Sequence, residues 1–143
     1  MEEALKLAVI AYDNDEVPVG AVVVLDNVII GKGFNSVISN NSVTSHAEIN
    51  AINDASQTLK NYRLSNCEIY VTLEPCHMCA KAIVDARIRY LYFGAQEPKT
   101  GAIQSIDKFL DRPDLNHTVR YSGGYIAEES ASLLQKFFRS RRN

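Results

Sequence analysis

Two apolar, β-rich runs at residues 69–73 and 90–93 flank a segment of helical length, and this spacing constrains the fold more than anything else in the chain. Pro75 opens the intervening helix, where its missing N–H leaves no partner unsatisfied, and Ala80, Ile83 and Val84 recur as a core face. Strand, helix and strand in succession predict a right-handed parallel crossover.

The flanking segments fill out the same architecture. Leu5, Ala8, Val9 and Tyr12 recur at helical spacing, predicting an amphipathic helix that runs to about Asn14. The β-branched run 21–25, the Asp26-Asn27 pair and the run 28–30 predict a hairpin. A polar loop follows over 36–45, then a second helix carried by Ala47, Ile49, Ala51, Ile52 and Ala55 and fading near Leu59. Residues 94–116 read as a long irregular stretch with one helical turn near 106–110, a length usual for functional or partner-facing loops. A short strand over 119–121 precedes a last helix, acidic early at Glu128 and Glu129 and basic late at Lys136, Arg139, Arg141 and Arg142. That charge order suits a helix dipole. The sum is one α/β domain over 1–143, with helices on both faces of a mixed sheet.

Composition sets the function classes. With 46% apolar and 22% charged residues the 143-residue chain can bury a core, so disorder is not the default. A net charge of −2 and a pI near 5.9 give no chain-wide attraction for nucleic acid, so any RNA contact needs a local patch. No apolar run approaches a membrane span, and the Glu2, Glu3 and Lys6 start is unlike a signal peptide. Three cysteines, two of them in a Cys-x-x-Cys, favour metal or redox chemistry over a disulfide framework. A cytoplasmic protein without a membrane partner is expected.

The chemistry is concentrated in His46-Ala47-Glu48 and Pro75-Cys76-His77-Met78-Cys79. Cys76 and Cys79, three residues apart at a helix start, present both sulfurs on one face, where the helix N-terminus favours the thiolates a metal needs. His46 begins the other helix and completes a three-ligand set of the kind catalytic zinc uses, its fourth position left for water. Glu48, two residues after the histidine, can face a zinc-activated water without ligating and so serve as acid and base. Separately, a Cys-x-x-Cys is weak and a His-x-Glu commonplace. In combination they form the His-x-Glu and Pro-Cys-x-x-Cys signature of zinc nucleobase deaminases. His77 lies out of phase with the ligands, His117 reads as a polar loop residue, and Cys67 as a small buried apolar side chain.

Beyond this motif the chain resembles the bacterial tRNA-specific adenosine deaminases of the cytidine deaminase superfamily. The likeness runs through Glu16-Val17-Pro18-Val19-Gly20-Ala21, Gly33-Phe34-Asn35, Asn61-Tyr62-Arg63-Leu64, Thr72-Leu73-Glu74-Pro75-Cys76, Lys99-Thr100-Gly101-Ala102 and Phe137-Phe138-Arg139 with Arg141-Arg142. The resemblance implies a three-layer α/β/α fold around a five-stranded mixed sheet, one zinc per subunit, a homodimer, and hydrolysis of wobble adenosine to inosine in a tRNA anticodon stem-loop. It also implies that Asn35 and the backbone near Ala47 hold the base. Glu97, Lys99, Phe138, Arg139 and Arg142 would meet the target nucleotide and its neighbours. Glu97, with Pro98 beside it, departs from the aspartate usual at that position. One alternative is a free-base or nucleoside deaminase acting on guanine or cytosine, which would not need the terminal arginines. Another is a noncatalytic zinc-stabilised RNA-binding subunit, which would have no use for Glu48.

Overall fold

Asp26 and Asn27 both hold left-handed backbone conformations, φ 51° and 66°, as a two-residue hairpin turn demands. They join β1 (Gly20–Leu25) to β2 (Val28–Phe34), an antiparallel pair at one edge of the sheet. The structure, a computed structural model, describes residues 1–141. Its sheet is completed by β3 (Glu68–Leu73), β4 (Tyr90–Ala95) and β5 (Arg120–Ser122), in the order β2-β1-β3-β4-β5. β3 is antiparallel to β1 and parallel to β4, which is parallel to β5.

Four helices cover this mixed sheet as two outer layers. Glycines on the strands report which helix lies over which face. Gly20 sits beneath α1 (Glu2–Asp13) and Gly94 beneath Ser130 of α4 (Ala127–Arg141), while Gly31 and Gly33 sit on the opposite face beneath α2 (Ala47–Leu59). The crossover helix α3 (His77–Asp85) joins β3 to β4 and packs beside α2. Between α2, α3 and the sheet lies the core, with Val23, Ile69, Val71, Ile83, Leu91 and Phe93 essentially free of solvent. The three-layer α/β/α arrangement is the expected one. No described helix is long and apolar enough to cross a membrane.

Several local details differ from the sequence expectation. The buried face of α1 is Ala4, Ala8 and Ala11, whereas Val9 is exposed and Leu5 only half-buried. The helix backbone approaches Gly20 so closely that only methyl side chains fit beneath it. Pro75 lies outside α3, because Cys76 is the residue that caps it. The turn expected near 106–110 is a short 3₁₀ segment at Phe109–Asp111. The loop before it is not loose, since Ala102, Ile103 and Leu110 are buried in the core. Pairing of β4 with β5 runs through Arg120, Tyr121 and Ser122, one residue beyond the expected span.

Candidate active site

The strands β3 and β4 end at Leu73 and Ala95, and beyond those ends the N-termini of α2 and α3 converge. Open α/β sheets place their sites at such ends. His46 is the residue before α2 and Cys76 the residue before α3, both in extended backbone conformations, while Cys79 lies in the first turn of α3. His46 Nδ1 lies 3.5 Å from Cys79 Sγ and 3.7 Å from Cys76 Sγ. With usual zinc–sulfur and zinc–nitrogen bond lengths, a tetrahedral ion sets nitrogen and sulfur ligands about 3.6 Å apart. The donor set and its spacing therefore fit one such ion, with a fourth position left to other ligands. Among the described residues this is the one His/Cys/Asp/Glu cluster close enough to share a metal.

Charge within the cluster is divided unequally. The Cys79 thiol donates to Cys76 Sγ, and with help from His46 this brings Cys76 down to about 4 against the opposing effect of burial. The same shared proton, burial and the nearby Glu48 carboxylate push the Cys79 thiol well above its usual range. The helix N-terminus was expected to favour both thiolates. Without metal the pair favours ionisation at Cys76 over Cys79, because two neighbouring sulfurs compete for a proton. His46 is raised by its hydrogen bond to Cys76 and by the Glu48 charge, against burial.

Glu48 lies one residue into α2, only 4% exposed. Burial, reinforced by the negative charge of Cys76, raises its carboxyl to about 7. A carboxyl poised there can give or take a proton near neutral pH.

A cavity of about 600 Å³ opens over this cluster, lined by His46, Glu48 and Cys76 on its floor and by Asn35, Glu97 and Phe138 higher up. A nucleobase with its sugar fits a space of that size. Asn35 Oδ1 accepts the Ala47 N–H at 2.8 Å. The amide NH₂ of Asn35 is thus the group it can offer to a ligand. Glu97 reaches the cavity, but its carboxylate also accepts the Lys99 N–H at 3.0 Å. Lys99 and Arg139 face a second cavity of about 710 Å³, and Phe138, 47% exposed, stands between the two. Its neighbour Phe137 is 6% exposed, packed edge-on against Tyr12. Arg142 lies outside the described residues. Of the bystanders, His77 pairs with Asp107 at 2.8 Å, His117 bonds the Ile88 carbonyl and Cys67 is buried away from the cluster.

Two carboxylates lining the cavity carried no role in the sequence reading. Glu16 accepts the Ile38 and Ser39 N–H groups and the Ser39 hydroxyl. Glu74 accepts four backbone N–H groups from the 97–105 loop. In both, burial would raise the pKa, but the donors outweigh it and hold the carboxyl below its usual range. The sequence signal available for Glu74 is an acid placed directly after the β-rich run 69–73.

Comparison with known proteins agrees with this geometry. A profile of the MafB19-like deaminase family matches residues 1–142. The tRNA-specific adenosine deaminase of Agrobacterium fabrum is 48% identical over 142 residues, covering 99% of this chain and 93% of that protein. That of Haemophilus influenzae is 48% identical over 143 residues, covering 99% and 83%. A solved structure from studies of A-to-I editing by tRNA:A34 deaminases at the wobble position of transfer RNA superposes with a TM-score of 0.91. It is 48% identical, covering 94% of this chain and 97% of that one. The guanine deaminase of Bacillus subtilis is more distant, 31% identical with a TM-score of 0.65, covering 99% and 91%. The chain belongs to the MafB19-like deaminase family and groups within it with the tRNA-specific adenosine deaminases.

Proposed function

We propose that the protein hydrolytically deaminates adenosine to inosine at the wobble position of a tRNA anticodon. The observation that carries this reading is the placement of Glu48 beside the His46, Cys76 and Cys79 cluster on the floor of a nucleoside-sized cavity. Its support for tRNA rather than a free base is the likeness to tRNA-specific adenosine deaminases along nearly the whole chain.

An anticodon base is already unpaired, so splaying it into the cavity costs less than extracting one from a duplex. His46, Cys76 and Cys79 would hold a zinc ion, which when bound would supply a water of lowered pKa as the nucleophile. Asn35 orients the base by donating from its amide to a purine acceptor. Glu48 takes the proton released as oxygen adds to C6 and passes it to N1 of the adenine. A second transfer through Glu48, from the new C6 hydroxyl to the amino nitrogen, lets the C6–N bond break, and ammonia leaves with the C6 carbonyl of inosine behind. Phe138, Lys99, Arg139 and Arg142 meet the neighbouring nucleotides, the aromatic ring by stacking and the cations by pairing with phosphates. Assembly as a homodimer and residence in the cytoplasm belong to the same reading.

The test is an anticodon stem-loop with a wobble adenosine, incubated with purified zinc-loaded protein beside free guanine and cytidine. Inosine in the stem-loop is expected. Turnover of guanine or cytidine with the stem-loop untouched overturns the substrate assignment. Glu48→Gln should retain zinc and lose at least about 10²-fold in rate, the scale of a positioned acid–base group. An active variant removes the proton shuttle.

A further inference from the structure

We infer that Glu74 is a positioning residue for substrate binding, a buried carboxylate that holds the 97–105 loop against the active-site cavity. The inference rests on the tRNA deaminase reading for its substrate, though not for the clamp itself. Glu74 is 2% exposed at the end of β3, directly before Pro75-Cys76. One of its oxygens accepts the Glu97 N–H at 3.1 Å, and the other accepts those of Ile103, Gln104 and Ser105 at 3.0, 2.8 and 3.0 Å. The Ser105 hydroxyl donates as well. Its partners among the described residues are these four backbone N–H groups and one hydroxyl, with no lysine or arginine among them.

The loop is shaped to receive this carboxylate. A Cβ on Gly101 would lie 2.5 and 2.6 Å from its two oxygens, so only glycine lets the loop close over it. The Ala102 N–H donates to the Pro75 carbonyl at 2.9 Å, and the Glu74 N–H to the Ala95 carbonyl at 2.8 Å. Glu74 thus ties the strand end to the loop, and the Ala102–Pro75 bond ties the loop to the segment bearing Cys76. That loop carries Glu97 and Thr100 into the main cavity and Lys99 into the second one. A carboxylate that only accepts hydrogen bonds, from four amides and the Ser105 hydroxyl, fixes where those side chains stand, without touching the reacting atoms.

The test uses full-length zinc-loaded protein and the variants Glu74→Gln and Gly101→Ala. Glutamine keeps the size but turns an NH₂ toward amide donors, and losing charge-assisted bonds of this kind should speed amide exchange at residues 103–105 by at least about tenfold. For the stem-loop, KM should rise by about tenfold while kcat stays within about threefold and zinc remains at one per chain. Glu74→Asp, which keeps the charge but is shorter, should recover part of the KM loss. If glutamine prevents folding, Gly101→Ala reads the same clamp from the other side, because its methyl displaces the carboxylate. In the double variant the two effects should fall short of additive. Unchanged exchange at 103–105 overturns the clamp. Faster exchange with unchanged KM overturns its role in binding. Loss of zinc with the loop unaltered assigns Glu74 to the metal segment instead. Exchange needs no substrate, so a wild-type protein inert toward the stem-loop would sink the proposed function while the clamp is still decided.

Discussion

Asn35 Oδ1 accepts the Ala47 N–H at 2.8 Å, and this bond joins the residue after β2 to the first turn of the helix that carries Glu48. On the proposed reading Asn35 has two separable duties, a helix cap through its oxygen and a ligand donor through its NH₂. Asn35→Asp keeps the oxygen and deletes the donor. Its stability should stay within about 1 kcal/mol of wild type while kcat/KM falls by at least about 10²-fold. Asn35→Ala should lose the cap too, at about 1–2 kcal/mol. Urea unfolding and steady-state kinetics on the two variants separate the duties, and an Asn35→Asp enzyme of normal activity would refute the second.

The unequal thiols make a prediction for metal-stripped protein. Cys76, lowered to about 4 and partly exposed, is the sulfur that ionises more readily, while Cys79 is raised and buried. Thiolates alkylate and thiols do not. Iodoacetamide at pH 7 should modify Cys76 well before Cys79 or the buried Cys67, and added zinc should block it. Peptide mass spectrometry reads the order, and equal labelling of Cys76 and Cys79 contradicts the shared-proton picture.

Glu16 gives a pH dependence of defined sign. Its folded-state pKa lies below the ordinary 4.5, because the amide and hydroxyl donors from Ile38 and Ser39 outweigh burial. The stability it contributes is then fully present above the unfolded value and is lost as pH falls through the folded one. Glu16→Gln should be less stable than wild type by a constant margin above about pH 5, a margin that shrinks below about 4.5. Urea midpoints taken from pH 3 to 7 measure it. A margin independent of pH would show that the charge of Glu16 does not matter.

Lys99 and Arg139 line the second cavity, beyond Phe138. If they meet phosphates, the double variant Lys99→Ala, Arg139→Ala should bind the stem-loop more weakly, and its log affinity should depend less on log salt. The slope should be shallower by about 0.7 for each lost contact to a single strand. Titrations at several ionic strengths provide the slope, and an unaltered value assigns both residues to solvent.

What could be read from the bare chain was whatever depends on near neighbours. The hairpin at Asp26-Asn27, the β3-α3-β4 crossover and both ligand segments are written in periodicity and short spacing. The packed face of α1 was not, since the helix meets Gly20 of β1 at Ala4 and Ala8, a contact set by the sheet. Nor were the roles of Glu16 and Glu74. Their partners lie 22 and 31 residues further along, at Ile38 and Ser105, and a carboxylate gives no local sign that distant amides will converge on it. The thiol asymmetry was hidden for a different reason: it comes from two sulfurs competing for one proton, a property of the pair rather than of either helix end.

His46, Glu48, Cys76 and Cys79 cluster at the N-termini of α2 and α3, whereas Phe138 and Arg139 ride on α4, on the far side of the sheet. On the proposed reading, the part of the recognition surface formed by Phe138 and Arg139 is thus anchored to a different layer of the molecule from the proton shuttle. Substitutions in the last helix can retune which polymer is admitted while the bond-breaking apparatus stays as it is, so a new substrate specificity need not be accompanied by a new chemistry.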